Sequence, residues 1–204
     1  PKEDYLRLEK IRDVIELPLD DVLDINGWDL QKALRLLYKS NPTLFEWAAS
    51  PIVYMETEFA GQFRKMMNTY FSTKKSLYHY ISMAEGNYRE FLRGANVKAK
   101  KYFYVMRPVL ACRWILEKGT PPPMRFTELM AAELPETLHP EMEHLLELKM
   151  NAPEIKEIPR IDVLNEYLDT SITEIKNLLL DMNDTKKMEW ETLDQMFLKY
   201  VSVN

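Results

Sequence analysis

One cysteine, Cys112, stands among 204 residues, so the chain can close no internal disulfide, and no cluster of Cys and His has the spacing of a zinc site. A reducing compartment is the default for such a chain, and the cytoplasm is the expected location. No apolar run approaches the roughly 20 residues needed to span a bilayer, and the N-terminus lacks a signal-peptide core. Only five glycines occur, and none opens a Walker loop, a dinucleotide fingerprint or a G-x-S-x-G elbow. Most enzyme classes with a short diagnostic motif lose their warrant on those absences. Hydrophobic residues at 46% and charged residues at 29% suit a folded, helix-rich domain.

The net charge of −5 conceals a segregation along the chain. From Arg64 to Lys118 there are twelve basic residues against three acids, a net +9, which leaves −14 for the remainder. Much of that acid lies between Glu133 and Glu157, with seven Glu against two Lys. A local positive field concentrates polyanions whatever the global charge, so the basic segment is a candidate phosphate site. The competing reading is a set of solvated helix faces.

Strand-like material is confined to the start. Val14–Leu17 and Val22–Ile25 are short apolar-rich runs separated by Pro18 and Asp20-Asp21, and they predict a hairpin or adjacent strands. Ile52-Val53-Tyr54 predicts one more strand. From Asp29, a candidate cap, the period becomes helical, with Leu30, Ala33, Leu34 and Leu37 on one face until Asn41-Pro42 stops the helix. A short helix follows from Pro42 and ends before Pro51. Further helices are expected over Thr57–Tyr70, Ser72–Arg93, Val97–Lys118, Arg125–Leu134, Pro140–Met150, Ile161–Met182 and Met188–Val201. Pro108 should kink or split the Val97–Lys118 helix, and the region around Pro153 and Pro159 reads as a loop.

Nucleophilic catalysis has little support, because Cys112 sits in an apolar helical run as a buried thiol would, and His79, His139 and His144 have no partner at an informative spacing. What remains is a carboxylate and a basic helix. Asp24 lies between Leu23 and Ile25 on a predicted strand, so it points to the face opposite its apolar neighbours, away from a small core. With other carboxylates it could ligate a divalent cation. Lys101, Tyr104 and Arg107 follow one another at three-residue steps on a predicted helix, with Lys100 beside them. An ammonium, a guanidinium fork and a phenol suit a triphosphate and a ribose or base. Lys75 and His79 follow Ser72 at the start of a facing helix, where free backbone N–H groups favour anions. The alternative for each cluster is a snorkelling, solvent-facing stripe.

Several segments in order carry a resemblance: Asp24–Leu34, Lys39–Trp47, Ser50–Tyr54, Tyr78–Ala84, Lys100–Ile115 and Gly119–Met124. They resemble the nucleotidyltransferases of the DNA polymerase beta superfamily, in the RlaP/YcgL-like branch associated with RNA repair ligases, over about residues 5 to 135. The resemblance implies a mostly α fold with a small α+β part: residues 1–55 as the C-terminal part of a nucleotidyltransferase core, and residues 56–204 as a helical domain. It implies transfer of a nucleoside monophosphate from an NTP to a hydroxyl, with Mg²⁺ as cofactor. In that superfamily a Gly-Ser turn holds the triphosphate, an Asp-x-Asp pair binds two Mg²⁺, and a third carboxylate completes the site. Asp24 matches the third position, as metal ligand and catalytic residue. No Gly-Ser and no Asp-x-Asp occur in the chain. Lys101, with Lys100 and Arg107, is expected to hold the β and γ phosphates, Tyr104 to border the sugar or base, and Lys75 and His79 to assist. The missing elements leave two expectations: a natural protein with an N-terminal segment absent here, this chain being an inactive piece, or a non-catalytic module that binds a nucleotide or RNA or interacts with a partner's acidic surface. The NTP, the acceptor, RNA among the options, and the oligomeric state are not legible from the residues.

Overall fold

The computed structural model describes residues 5, 8–9, 12–18, 23–151, 157–183 and 189–202. Their order is β1 (Val14–Pro18), β2 (Asp24–Trp28), α1 (Leu30–Tyr38), α2 (Pro42–Ala48), α3 (Glu58–Tyr70), α4 (Thr73–Phe91), β3 (Asn96–Lys98), α5 (Ala99–Lys118), α6 (Phe126–Glu133), a 3-10 turn (Glu136–Leu138), α7 (His139–Asn151), β4 (Glu157–Pro159), α8 (Asp162–Asp181) and α9 (Glu191–Ser202). The fold is mostly α with two small antiparallel sheets, β1–β2 and β3–β4. Among the described residues no helix is long and apolar enough to cross a membrane.

Local chemistry sets the helix starts as the sequence indicates. The side chains of Asp29, Asn41, Thr57 and Ser72 each accept a hydrogen bond from a backbone N–H in the first turn of α1, α2, α3 and α4. Pro42 occupies the first turn of α2, where its missing N–H costs nothing. Gly119, at φ 65°, closes α5 in the left-handed conformation that a side chain would strain.

The α4–α5 hairpin is the centre. Residues on nearly every side of α5 are buried, among them Tyr102, Met106, Leu110 and Ile115, as expected of a helix surrounded by others. It packs broadly on α4 and also touches α6, α7 and α8. One hydrophobic core runs from Leu34 in α1 to Met196 in α9. A buried polar latch fixes α8 to the hairpin. Asn165 accepts from the Tyr102 hydroxyl at 2.7 Å and donates to the Leu92 carbonyl at 2.7 Å. The same hydroxyl accepts from the Ile161 N–H at 2.7 Å.

Four expectations are corrected. Ile52, Val53 and Tyr54 form no strand: they lie in an exposed connector between α2 and α3. The hairpin pairs Val14 with Trp28 and Pro18 with Asp24, so β2 runs Asp24–Trp28 rather than Val22–Ile25. It covers no core of its own, since Ile15, Leu17, Leu23 and Ile25 are all exposed. The Asp20-Asp21 turn lies outside the described residues, as do Pro153 and Met188. Of the kink or split expected at Pro108, the split does not occur: α5 continues through it as one helix, with Pro108 and the following Val109–Cys112 buried. The region of Pro159, expected as loop, is strand β4, where Ile158 pairs with Val97. Three-residue strands leave no period to read.

Replacing Asn165 by Ala strands the Tyr102 hydroxyl proton and the Leu92 carbonyl inside the core. We expect a loss of about 2–4 kcal/mol from two unsatisfied buried groups, measured by urea denaturation. A loss below about 0.5 kcal/mol would show that the latch is dispensable.

Candidate functional site

The residues singled out by sequence fall into three places along the α4–α5 hairpin and one on β2. Asp24 opens β2 opposite Pro18 and is exposed. Among the described residues no three His, Cys, Asp or Glu side chains are grouped to hold a metal ion. Two Mg²⁺ need several shared oxygen ligands, and Asp24 alone does not fit that requirement.

Lys101 and Tyr104 are brought together at the open end of the hairpin. The Lys101 ammonium stands 3.4 Å from the centroid of the Phe91 ring and 4.7 Å from that of Tyr104, so two aromatic faces hold the charge without neutralising it. It has no carboxylate partner among the described residues. Tyr104 is 48% exposed, and Lys100 is exposed beside it. Lys98 occupies the N-cap of α5 and supplies no side-chain hydrogen bond, so the first N–H groups of a 20-residue helix remain unmet by a capping side chain next to three lysines. Pro108 adds a consequence: the Tyr104 carbonyl loses the i+4 N–H donor of a regular helix.

Arg107 is placed apart from that pair. Its guanidinium meets the Glu46 carboxylate of α2 at 3.2 Å, and the Tyr80 hydroxyl of α4 donates to the same carboxylate at 2.6 Å. One acid thus ties α2, α4 and α5 together, and burial pushes the Tyr80 phenol well above its ordinary range. His79 lies beside this triad on an exposed flank of α4, its ring edge-on to Tyr80 with centroids 6.2 Å apart. Partial covering of the ring lowers the His79 pKa, and the Glu46 charge works against that shift.

Lys75 belongs to a third place. Its ammonium stands 5.7 Å from the Tyr38 ring centroid, and Tyr38 stacks on Trp190 with centroids 3.8 Å apart and planes at 12°. Sequence reasoning missed Glu46, Tyr80, Phe91 and Trp190 as neighbours of the chosen residues. Each contact depends on how separate elements dock, and no spacing rule along one helix reaches it. Cys112 is buried and its thiol pKa is raised by burial, in keeping with an inert side chain.

The lowered His79 pKa makes a signed prediction. The fold favours the neutral ring, so the unfolded chain binds more protons, and this contribution to stability is present above about pH 6.5 and is lost as pH falls through the folded pKa. An NMR titration should place His79 below 6.5. A value above 6.5 would mean that the Glu46 charge outweighs the covering of the ring.

With this geometry in hand, comparison with known proteins adds a lineage. The family model described as RlaP, "RNA repair pathway DNA polymerase beta family", matches residues 1–199. The chain is 46% identical over 202 residues to "Uncharacterized protein YcgL" of Bacillus subtilis (strain 168), covering 98% of this chain and 78% of that relative. No solved structure matches.

Proposed function

Because the chain belongs to the RNA repair pathway DNA polymerase beta family, we propose that it serves nucleotidyl transfer: binding an NTP so that an acceptor hydroxyl attacks its α-phosphorus. The new O–P bond forms as the bond to pyrophosphate breaks, and the hydroxyl proton is released. The described residues support the nucleotide-holding part of this reaction. Lys101 carries the reading, as an unneutralised ammonium clamped between Phe91 and Tyr104 beside the uncapped start of α5. Lys100 adds a second charge, and the exposed Tyr104 phenol offers a face for the sugar or base. Positioning and charge supply most of the rate in phosphoryl chemistry, so these groups are suited to orient the phosphates. Asp24 and Mg²⁺ belong to the same proposal, with ligands for the metal beyond Asp24 required of other groups.

Arg107 has a different part. Paired with Glu46, it positions α5 against α2 and would reach a phosphate only by leaving that carboxylate. A non-catalytic RNA-binding role predicts the same basic residues but a steep salt dependence without preference for a triphosphate.

Lys101→Ala should weaken NTP binding about tenfold or more, the scale of one charge-assisted contact, with the fold intact by circular dichroism. Equilibrium titration of an NTP checks it, with inorganic phosphate as the control. Unchanged affinity would remove Lys101 from the site, and equal weakening of single-stranded RNA and NTP would favour the RNA-binding role.

A further inference from the structure

A cleft of about 380 Å³ lies between α1 and α9, away from Lys101, lined by Gln31, Leu34, Arg35, Trp190, Leu193, Asp194 and Phe197. Its size is in the range of small-ligand pockets. Its construction is directional. Trp190 is held from behind by the Tyr38 stack, and the Tyr70 hydroxyl donates at 2.7 Å to the carbonyl of the preceding Glu189, yet the indole remains 43% exposed. Phe197 is braced edge-on by Tyr5, with ring centroids 5.2 Å apart. Two rigid aromatic walls therefore flank a floor that includes buried Leu34 and Leu193.

The polar groups in the same cleft are unspent. Arg35 and Asp194 both line it, but they make no ion pair with each other or with any other described residue, and the Gln31 amide has no side-chain partner there. Most of the other arginines of this chain found in the described residues are engaged: Arg64 by Glu56, Arg107 by Glu46, Arg113 by Glu174 and Arg160 by Asp162. An unpaired cation and an unpaired carboxylate around one aromatic slot call for a ligand with a flat ring, an edge of N–H donors and an anionic group.

We infer that the α1–α9 cleft binds a guanine nucleotide: the base lies against Trp190 and Phe197, the Asp194 carboxylate accepts from its N1–H and N2–H donors, and Arg35 meets its phosphate. The choice of a nucleotide rests on the reading given under Proposed function; the choice of guanine rests on Asp194. Of the four bases only guanine presents two adjacent N–H donors on one edge, which is the pattern that a bare carboxylate accepts. Gln31 can both donate and accept, and so suits the neighbouring carbonyl of the same base.

The test is calorimetric titration of the full chain, without divalent cations, using GMP, AMP, CMP, UMP and guanosine. GMP should bind at least tenfold more tightly than the other three monophosphates. Asp194→Asn should cost GMP about tenfold or more and leave AMP unchanged, while Arg35→Ala should weaken GMP and spare guanosine. Both changes are at exposed positions, and thermal unfolding checks the fold of each. Heat from no nucleotide at millimolar concentration, equal binding of AMP and GMP, or GMP affinity indifferent to both variants would overturn the inference. Lys101→Ala separates the two sites. If it abolishes GMP binding while Asp194→Asn does not, the nucleotide sits on α5 and the cleft assignment fails while the reading under Proposed function stands. If GMP binding follows Asp194 and Arg35 but no NTP binds through Lys101, the cleft stands and that reading fails.

Discussion

The polar latch at Asn165 is the constraint on which the rest of the molecule depends. Tyr102 sits near the start of α5, so its hydroxyl fixes the register of that helix against α8, and the Leu92 carbonyl fixes the end of α4 in the same few ångströms. The connection between α4 and α5 carries β3, which pairs with β4 just before α8, so the latch and this small sheet hold the same junction. Buried hydrogen bonds are modest in net energy but strict in geometry, because a misplaced donor in a dry core costs more than a good one gains. The position of Lys101, one residue before Tyr102, follows from that restraint. Its two aromatic contacts come from opposite sides of the same hairpin, Phe91 from α4 and Tyr104 from α5, and they hold only while the register holds.

The helices were legible in the sequence because capping is local. Asp29, Asn41, Thr57 and Ser72 each act within three residues of themselves, and Asn41-Pro42 and Gly119 mark stops by their own backbone requirements. The strands were only half legible. The β1–β2 hairpin has apolar runs long enough to notice, but its register places Asp24 at the strand's first residue and leaves Ile15, Leu17, Leu23 and Ile25 exposed, so alternation did not report a buried face. Ile52 to Tyr54 shows the same failure in reverse, being apolar enough for a strand yet lying exposed in a connector. For the candidate site, spacing put Lys101 and Tyr104 together correctly, since three residues along a helix are neighbours by geometry alone. It could not place Glu46 against Arg107, because that contact spans 61 positions and depends on how α2 docks. The α1–α9 cleft was beyond reach for the same reason, its two walls lying some 160 residues apart in the chain.

Charge segregation along the chain does not survive folding as segregation in space. The basic segment is threaded through the acidic remainder. Arg64 meets Glu56, Arg107 meets Glu46, and Arg113 meets Glu174 and the Ser171 hydroxyl, while the acid Glu85 within the basic segment takes Lys176 from outside it. Arginine is favoured at such half-buried junctions because its fork can serve two acceptors at once. A net +9 over 55 residues therefore overstates the positive charge left unpaired by that segment. Of the cations that make no ion pair among the described residues, two groups matter here: Lys100 and Lys101 at the uncapped start of α5, and Arg35 at the α1–α9 cleft. Lys101 differs from an ordinary surface lysine in that aromatic faces, rather than a carboxylate, keep it in place. Such a contact fixes the position of the charge while leaving its field unscreened by an opposite charge, which is the condition a phosphate-binding group must meet before its ligand arrives.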